Sequence, residues 1–138
     1  MKNLVWLFAT LLLIGAIPAS HATALKDKFK VETDTVGLDP RLDPGMYVCA
    51  KGHLHIKGSV QNLANVTVGR VKVAGKVFGA DGGLLGTATA STKQVALAPG
   101  EKTEINLEFL SVTGPLIEKA KKHELVVVEV SPNTKKAP

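Results

Sequence analysis

The chain has 138 residues, of which 45% are hydrophobic and only 4% aromatic, with a single cysteine and a formal net charge of +5. This length predicts one domain with a single core. The basic residues are scattered and aromatic side chains are few, so the composition argues against nucleic acid binding and glycan stacking. A single cysteine also excludes an internal disulfide bond, so the core must be stabilised by packing alone.

Residues 1–22 predict an exported protein. A weakly basic start is followed by an almost entirely apolar run over residues 4–17, and the small residues Ser20 and Ala22 precede an expected cut after Ala22. This is the pattern of a secretory signal peptide. The apolar run is too short for a membrane span, and no other segment reaches the required length. We therefore expect a periplasmic or secreted protein whose mature chain has no membrane span.

The remaining chain divides into three predicted parts. Residues 23–45 are charged and interrupted by prolines, and we interpret them mainly as an extended N-terminal arm, in which residues 26–32 form either a short strand or no regular structure. Residues 46–131 predict one β-sandwich domain, because their apolar residues alternate with polar ones and the runs are separated by turns. Residues 132–138 predict a flexible tail.

The clearest strand covers residues 53–61. It places Leu54 and Ile56 on one face and His53 and His55 on the other, which is the two-residue period of a half-buried strand. Because residues of one face lie about 7 Å apart, the two histidines are expected to be neighbours on the polar face.

Four further strands are predicted over residues 66–78, 84–95, 102–110 and 125–130. Glycine-containing turns separate them, and residues 114–122 form the one helical candidate, with Pro115 in its first turn. The expected fold is all-β: an immunoglobulin-like antiparallel β-sandwich with one short helix before the last strand. The predicted core consists of Leu54, Ile56, Val60, Val71, Val73, Val77, Leu85, Leu97, Ile105, Leu107, Phe109, Leu116, Leu125 and Val127.

Three short elements of this domain occur in a familiar order. They are GSVQN at residues 58–62, Phe78 followed by the Asp81-Gly82 turn, and LAPGE at residues 97–101. In this order they resemble the FxLYD domain and related immunoglobulin-like modules of bacterial secreted proteins, although Gly79 replaces the acidic residue that the family has beside the aromatic. Because that family has no common catalytic activity, the resemblance implies an interaction or spacer module.

No pattern in the chain predicts an enzyme, since no hydrolase nucleophile elbow or other catalytic motif is present. We favour an exported, non-enzymatic protein-interaction or accessory module of the cell envelope. Its partner would be another envelope protein, bound through the open edge strands that a sandwich offers. We also expect the N-terminal arm to become ordered when a partner binds.

The alternative is a periplasmic metal-binding protein, with copper as the expected metal. Its ligands would be Cys49, His53 and His55, completed by Met46 or His123. Thiolate, thioether and imidazole donors suit Cu(I) or Zn(II). In the competing interpretation the histidines are polar residues on a solvent face, and Cys49 is a small buried apolar residue or an intermolecular bridge.

Overall fold

The computed structural model describes residues 25–133, which form seven strands and a short helix. In chain order these are β1 (Phe29–Thr33), β2 (Met46–Val48), β3 (His53–Asn62), β4 (Val68–Phe78), β5 (Leu84–Ser91), β6 (Lys102–Thr113), α1 (Pro115–Lys119) and β7 (Lys122–Pro132). The predicted signal peptide over residues 1–22 and residues 134–138 of the predicted tail lie outside the described residues. Within residues 25–133, no helix has the length and apolar character needed to cross a membrane.

The strands form two antiparallel sheets. In the first sheet, β3 is central. Along one edge of β3, β2 pairs with residues 54–56 and β1 pairs with residues 58–62, and β6 pairs with the other edge. In the second sheet, β4 is central between β5 and β7. The predicted all-β antiparallel sandwich, with one short helix before the last strand, is confirmed.

The core lies between the two sheets and follows from the alternation of apolar residues along each strand. In β3 every second residue is buried, including Leu54, Ile56 and Val60. Most of the predicted core residues are buried, whereas Leu85, Leu116 and Leu125 are only partly buried against the core. Ile117 and Ala120, which the apolar pattern of the predicted helix turns towards the core, are also buried, and four buried hydrophobic residues of the described chain were not predicted: Met46, Ala64, Val68 and Val112.

The segment interpreted mainly as an arm contains a strand of the first sheet. Strand β1 pairs with the second half of β3, with Val31 opposite Val60. Gly58 allows this close approach, because a side chain there would meet the backbone carbonyl of Glu32. At least this part of residues 23–45 is therefore built into the sandwich.

Asn62, the last residue of the GSVQN element, has a structural role. It is fully buried, and its amide donates to the carbonyls of Val66 (2.9 Å) and Leu97 (3.0 Å). Its Oδ1 accepts a hydrogen bond of 2.9 Å from the backbone N–H of Ala64. One side chain therefore satisfies three backbone groups and ties the β3–β4 loop to the chain that leads into β6.

We predict that Asn62→Ala lowers the free energy of unfolding by about 2–4 kcal/mol, because it leaves buried backbone groups without partners. Chemical denaturation of both proteins measures this difference. Asn65→Ala is the matched control, since Asn65 is exposed in the same loop, and we expect a change within about 0.5 kcal/mol. Equal losses in the two variants would contradict the structural role of Asn62.

Candidate metal site

The outer face of the first sheet carries a group of polar side chains where β2, β3 and β6 lie side by side. The alternation that buries Leu54 and Ile56 turns His53 and His55 outward. In the same way, burial of Leu107 in β6 turns Asn106 outward on the neighbouring strand. The pairing of β3 with β6 therefore brings polar residues from two distant parts of the chain together.

His55 is held in a fixed orientation by two neighbours. Its Nδ1 lies 2.8 Å from Oδ1 of Asn106, and the Asn106 amide donates a hydrogen bond of 2.6 Å to the Tyr47 hydroxyl. The Tyr47 ring also stacks on the His55 ring, with centroids 4.9 Å apart and planes inclined by 22°. Since Oδ1 accepts, His55 Nδ1 donates, so in the neutral ring it is Nε2 that carries the lone pair.

That lone pair has no partner. His55 Nε2 is inaccessible to solvent and makes no hydrogen bond with any described residue. Buried nitrogen atoms are normally hydrogen-bonded, and one without a partner requires a specific explanation.

Two other potential metal ligands lie beside His55. The Sγ of Cys49, a ring nitrogen of His55 and a carboxylate oxygen of Glu108 all lie within 4.8 Å of one another, and Nε2 is the ring nitrogen of His55 without a hydrogen bond. We call these three residues the ligand triad. The β2–β3 turn sets the position of Cys49: its N–H donates to the His53 carbonyl (3.0 Å), and its carbonyl accepts from the Gly52 N–H (2.9 Å). Gly52 has a φ of 83°, which favours glycine over other residues.

His53 contacts the triad through Glu108. Its Nδ1 lies 2.8 Å from Glu108 Oε1, with the two side chains 22% and 43% exposed. His53 is thus placed to orient the carboxylate. Among the described residues, it does not belong to the set of donors that lie within 4.8 Å of one another.

The other two predicted ligands lie elsewhere. Met46 is fully buried in the core, so its thioether faces away from the outer surface of the sheet. His123 is on β7 in the second sheet, where its Nε2 lies 3.2 Å from the Thr33 hydroxyl. The structure therefore brings Cys49 and His55 together, places His53 beside them, and adds Glu108. Glu108 was not among the ligands predicted from the sequence.

The loop between β1 and β2 borders the site on the Tyr47 side. A shallow cleft there is lined by residues that include Leu38, Asp39, Tyr47 and Asn106. Asp39 accepts hydrogen bonds from the side chain and backbone of Arg41, and these lower its pKa to about 2. Asp39 therefore remains ionised near neutral pH, and its charge is paired with Arg41 within the loop.

Comparison with known proteins adds little to this description. No protein-family model matches the chain, and no curated protein sequence matches it. It is similar to the 1.81 Å crystal structure of a DUF1425 family member from Shewanella sp. pv-4, with a TM-score of 0.44 and 16% identity over 73% of this chain and 77% of that chain. A similarity at this level assigns neither a family nor a function. The resemblance to FxLYD domains remains a prediction.

The geometry of His55 predicts its tautomer in the metal-free protein. Long-range ¹⁵N–¹H correlation spectra should show a protonated Nδ1 and a bare Nε2. Asn106→Leu, which removes the acceptor, should abolish this preference. Glu104→Gln is the control, because Glu104 lies on the same strand and its ion pair is with Lys57, not with His55. A protonated Nε2 in the parent protein would contradict the arrangement.

Proposed function

We propose that this protein is an exported, non-enzymatic β-sandwich that binds one transition-metal ion through Cys49, His55 and Glu108. One observation carries the proposal: His55, whose Nε2 is unpartnered and inaccessible to solvent, has a ring nitrogen within 4.8 Å of a thiol sulfur and a carboxylate oxygen. A buried polar atom without a partner costs about 1–3 kcal/mol. A metal ion would supply that partner, and it would use both neighbouring groups as well.

The distances require only a small closure of the site. Zinc binds sulfur at about 2.3 Å and nitrogen or oxygen at about 2.0–2.2 Å in a tetrahedral arrangement, so its donor atoms lie about 3.3–3.7 Å apart. The triad spans at most 4.8 Å, so its side chains must approach by about 1 Å. The Glu108 side chain is 43% exposed and has room to make this adjustment.

Residues around the triad support it in the way that residues around known metal sites do. Histidine ligands usually hydrogen-bond through their second nitrogen to a group that fixes the ring. Asn106 does so for His55, and Tyr47 holds Asn106 in turn. His53 provides the equivalent support for the carboxylate of Glu108. Compared with the ligands predicted from sequence, the proposed set keeps Cys49 and His55 and exchanges His53 for Glu108.

Export is part of the proposal and rests on the sequence of residues 1–22 alone. Outside the cytoplasm, a free thiol that is not used in a disulfide bond is exposed to oxidants. Coordination of a metal ion would protect Cys49 from them.

We predict one bound Zn(II) or copper ion per chain under reducing conditions. Cys49→Ala, His55→Ala and Glu108→Ala should each weaken binding at least about tenfold, since even the loss of a supporting residue typically weakens it by 10–100-fold. Competition with a metal chelator measures these affinities.

Glu104→Ala is the matched control, because Glu104 lies on the same strand as Glu108 and is exposed. It should bind metal as the parent does. All variants should remain folded, since none of the substituted residues belongs to the core cluster. Equal metal uptake by Cys49→Ala and the parent protein would reject the site.

A second candidate function, protein interaction, is favoured by the edge of β7. Among the described strands, β7 pairs only with β4, and its Val126 and Val128 are 47% and 37% exposed. Such an edge is suited to the addition of a strand from a partner, which would be another envelope protein.

The interaction is tested by affinity capture from an envelope fraction with three baits: the parent protein, Val128→Lys and Cys49→Ala. A lysine on an edge strand discourages pairing, so Val128→Lys should lose a partner that the parent and Cys49→Ala both capture. Retention of the same partner by Val128→Lys would place the interaction elsewhere, and capture of no specific partner would count against it.

A further inference from the structure

We infer that the ligand triad selects Zn(II) over Cu(I) and leaves one coordination position open to a neutral external donor of the imidazole type. This inference rests on the proposed metal binding and specifies its chemistry. It depends on the identity of the third donor, the number of donors, the exposure of the site and its charge.

The third donor determines the class of metal. A thioether from Met46 would have made the site soft and suited to Cu(I). Met46 is fully buried in the core, and the third donor beside Cys49 and His55 is the carboxylate of Glu108. Carboxylate oxygen is a hard ligand that Cu(I) binds poorly, whereas Zn(II) accepts sulfur, nitrogen and oxygen together.

The number of donors predicts an open position. Within residues 25–133, Cys49, His55 and Glu108 are the one group of histidine, cysteine and acidic side chains close enough to hold an ion. His53, the nearest additional imidazole, has its Nδ1 on Oε1 of Glu108 at 2.8 Å. Zinc prefers four donors, and in sites with three protein ligands the fourth position is taken by water or an exchangeable ligand.

The exposure of the side chains predicts where that position points. His55 Nε2 is inaccessible to solvent, so the site is closed on the side of the His55 ring. The Glu108 side chain is 43% exposed and forms the outer end. An ion between them is therefore shielded by the sheet on one side and faces solvent on the other, so an external donor can reach it.

The charge of the site predicts the kind of donor. A thiolate from Cys49 and a carboxylate from Glu108 together neutralise the two positive charges of Zn(II), and His55 is neutral. Once these two charges are neutralised, the ion attracts an anionic fourth ligand less strongly, so a neutral donor can compete for the open position. A neutral nitrogen donor, such as the imidazole of a histidine in a peptide, keeps the site neutral.

The inference assigns His53 as a positioning residue, since it acts through Glu108 and does not bind the ion itself. In the alternative, His53 leaves Glu108 and becomes a fourth protein ligand, which closes the site. The two arrangements differ in one measurable property: the open site responds to added imidazole, and the closed site does not.

Co(II) is the probe for this test, because its absorption reports both thiolate coordination and the number of ligands. The full-length protein is loaded with Co(II) under anaerobic, reducing conditions, and imidazole is then added. We expect the visible ligand-field bands to change while the sulfur-to-cobalt charge-transfer band remains. His53→Ala should give the same response and bind Co(II) about 10–100-fold more weakly, as expected for loss of a supporting residue.

Two outcomes would overturn the inference while metal binding stands. One is a parent spectrum that imidazole leaves unchanged while that of His53→Ala responds, which would make His53 the fourth ligand. The other is a preference of the parent for Cu(I) over Zn(II) in competition with chelators; Glu108→Met is the matched control that should shift selectivity towards Cu(I). If the parent binds no Co(II), Zn(II) or copper, the proposed function itself fails.

Discussion

The antiparallel pairing of β3 with β6 is the constraint on which the rest of the structure depends. Because side chains alternate across a strand, one register both buries Leu54 against the second sheet and turns His55 towards β6. A slip of one residue would expose the core positions and bury the histidines, so the register that stabilises the sandwich also fixes the site. The core residues of β3 and β6 and the side chains of the metal site thus lie on opposite faces of the same pair of strands.

Local pattern predicted much of this arrangement, and long-range pairing explains what it missed. The alternation in residues 53–61 correctly placed His53 and His55 on the polar face, opposite the core residues. Glu108 was not identified as a candidate ligand, because its position beside His55 depends on a register that joins residues 53 apart in the sequence. Nothing local distinguishes Glu108 from Glu104, which lies on the same face of β6 and forms an ion pair with Lys57.

Short elements were the other source of error. Strand β1 has five residues and β2 only three, so neither is long enough for a convincing period. As a result, a short strand over residues 26–32 stayed only one of two interpretations, and Met46 was considered as a ligand although it is a core residue. Both elements are strands because β3 offers them an edge, which is a tertiary effect that their own sequences do not encode.

The separation of core and site gives the account its most direct test. X-ray absorption at the zinc edge of the Zn(II)-loaded protein reports which atoms surround the ion and at what distances. The account predicts one sulfur at about 2.3 Å and three nitrogen or oxygen atoms at about 2.0–2.2 Å, with a single imidazole from the protein. A spectrum without a sulfur neighbour, or with imidazoles from both His53 and His55, would contradict the assignment of Cys49, His55 and Glu108 as the metal ligands.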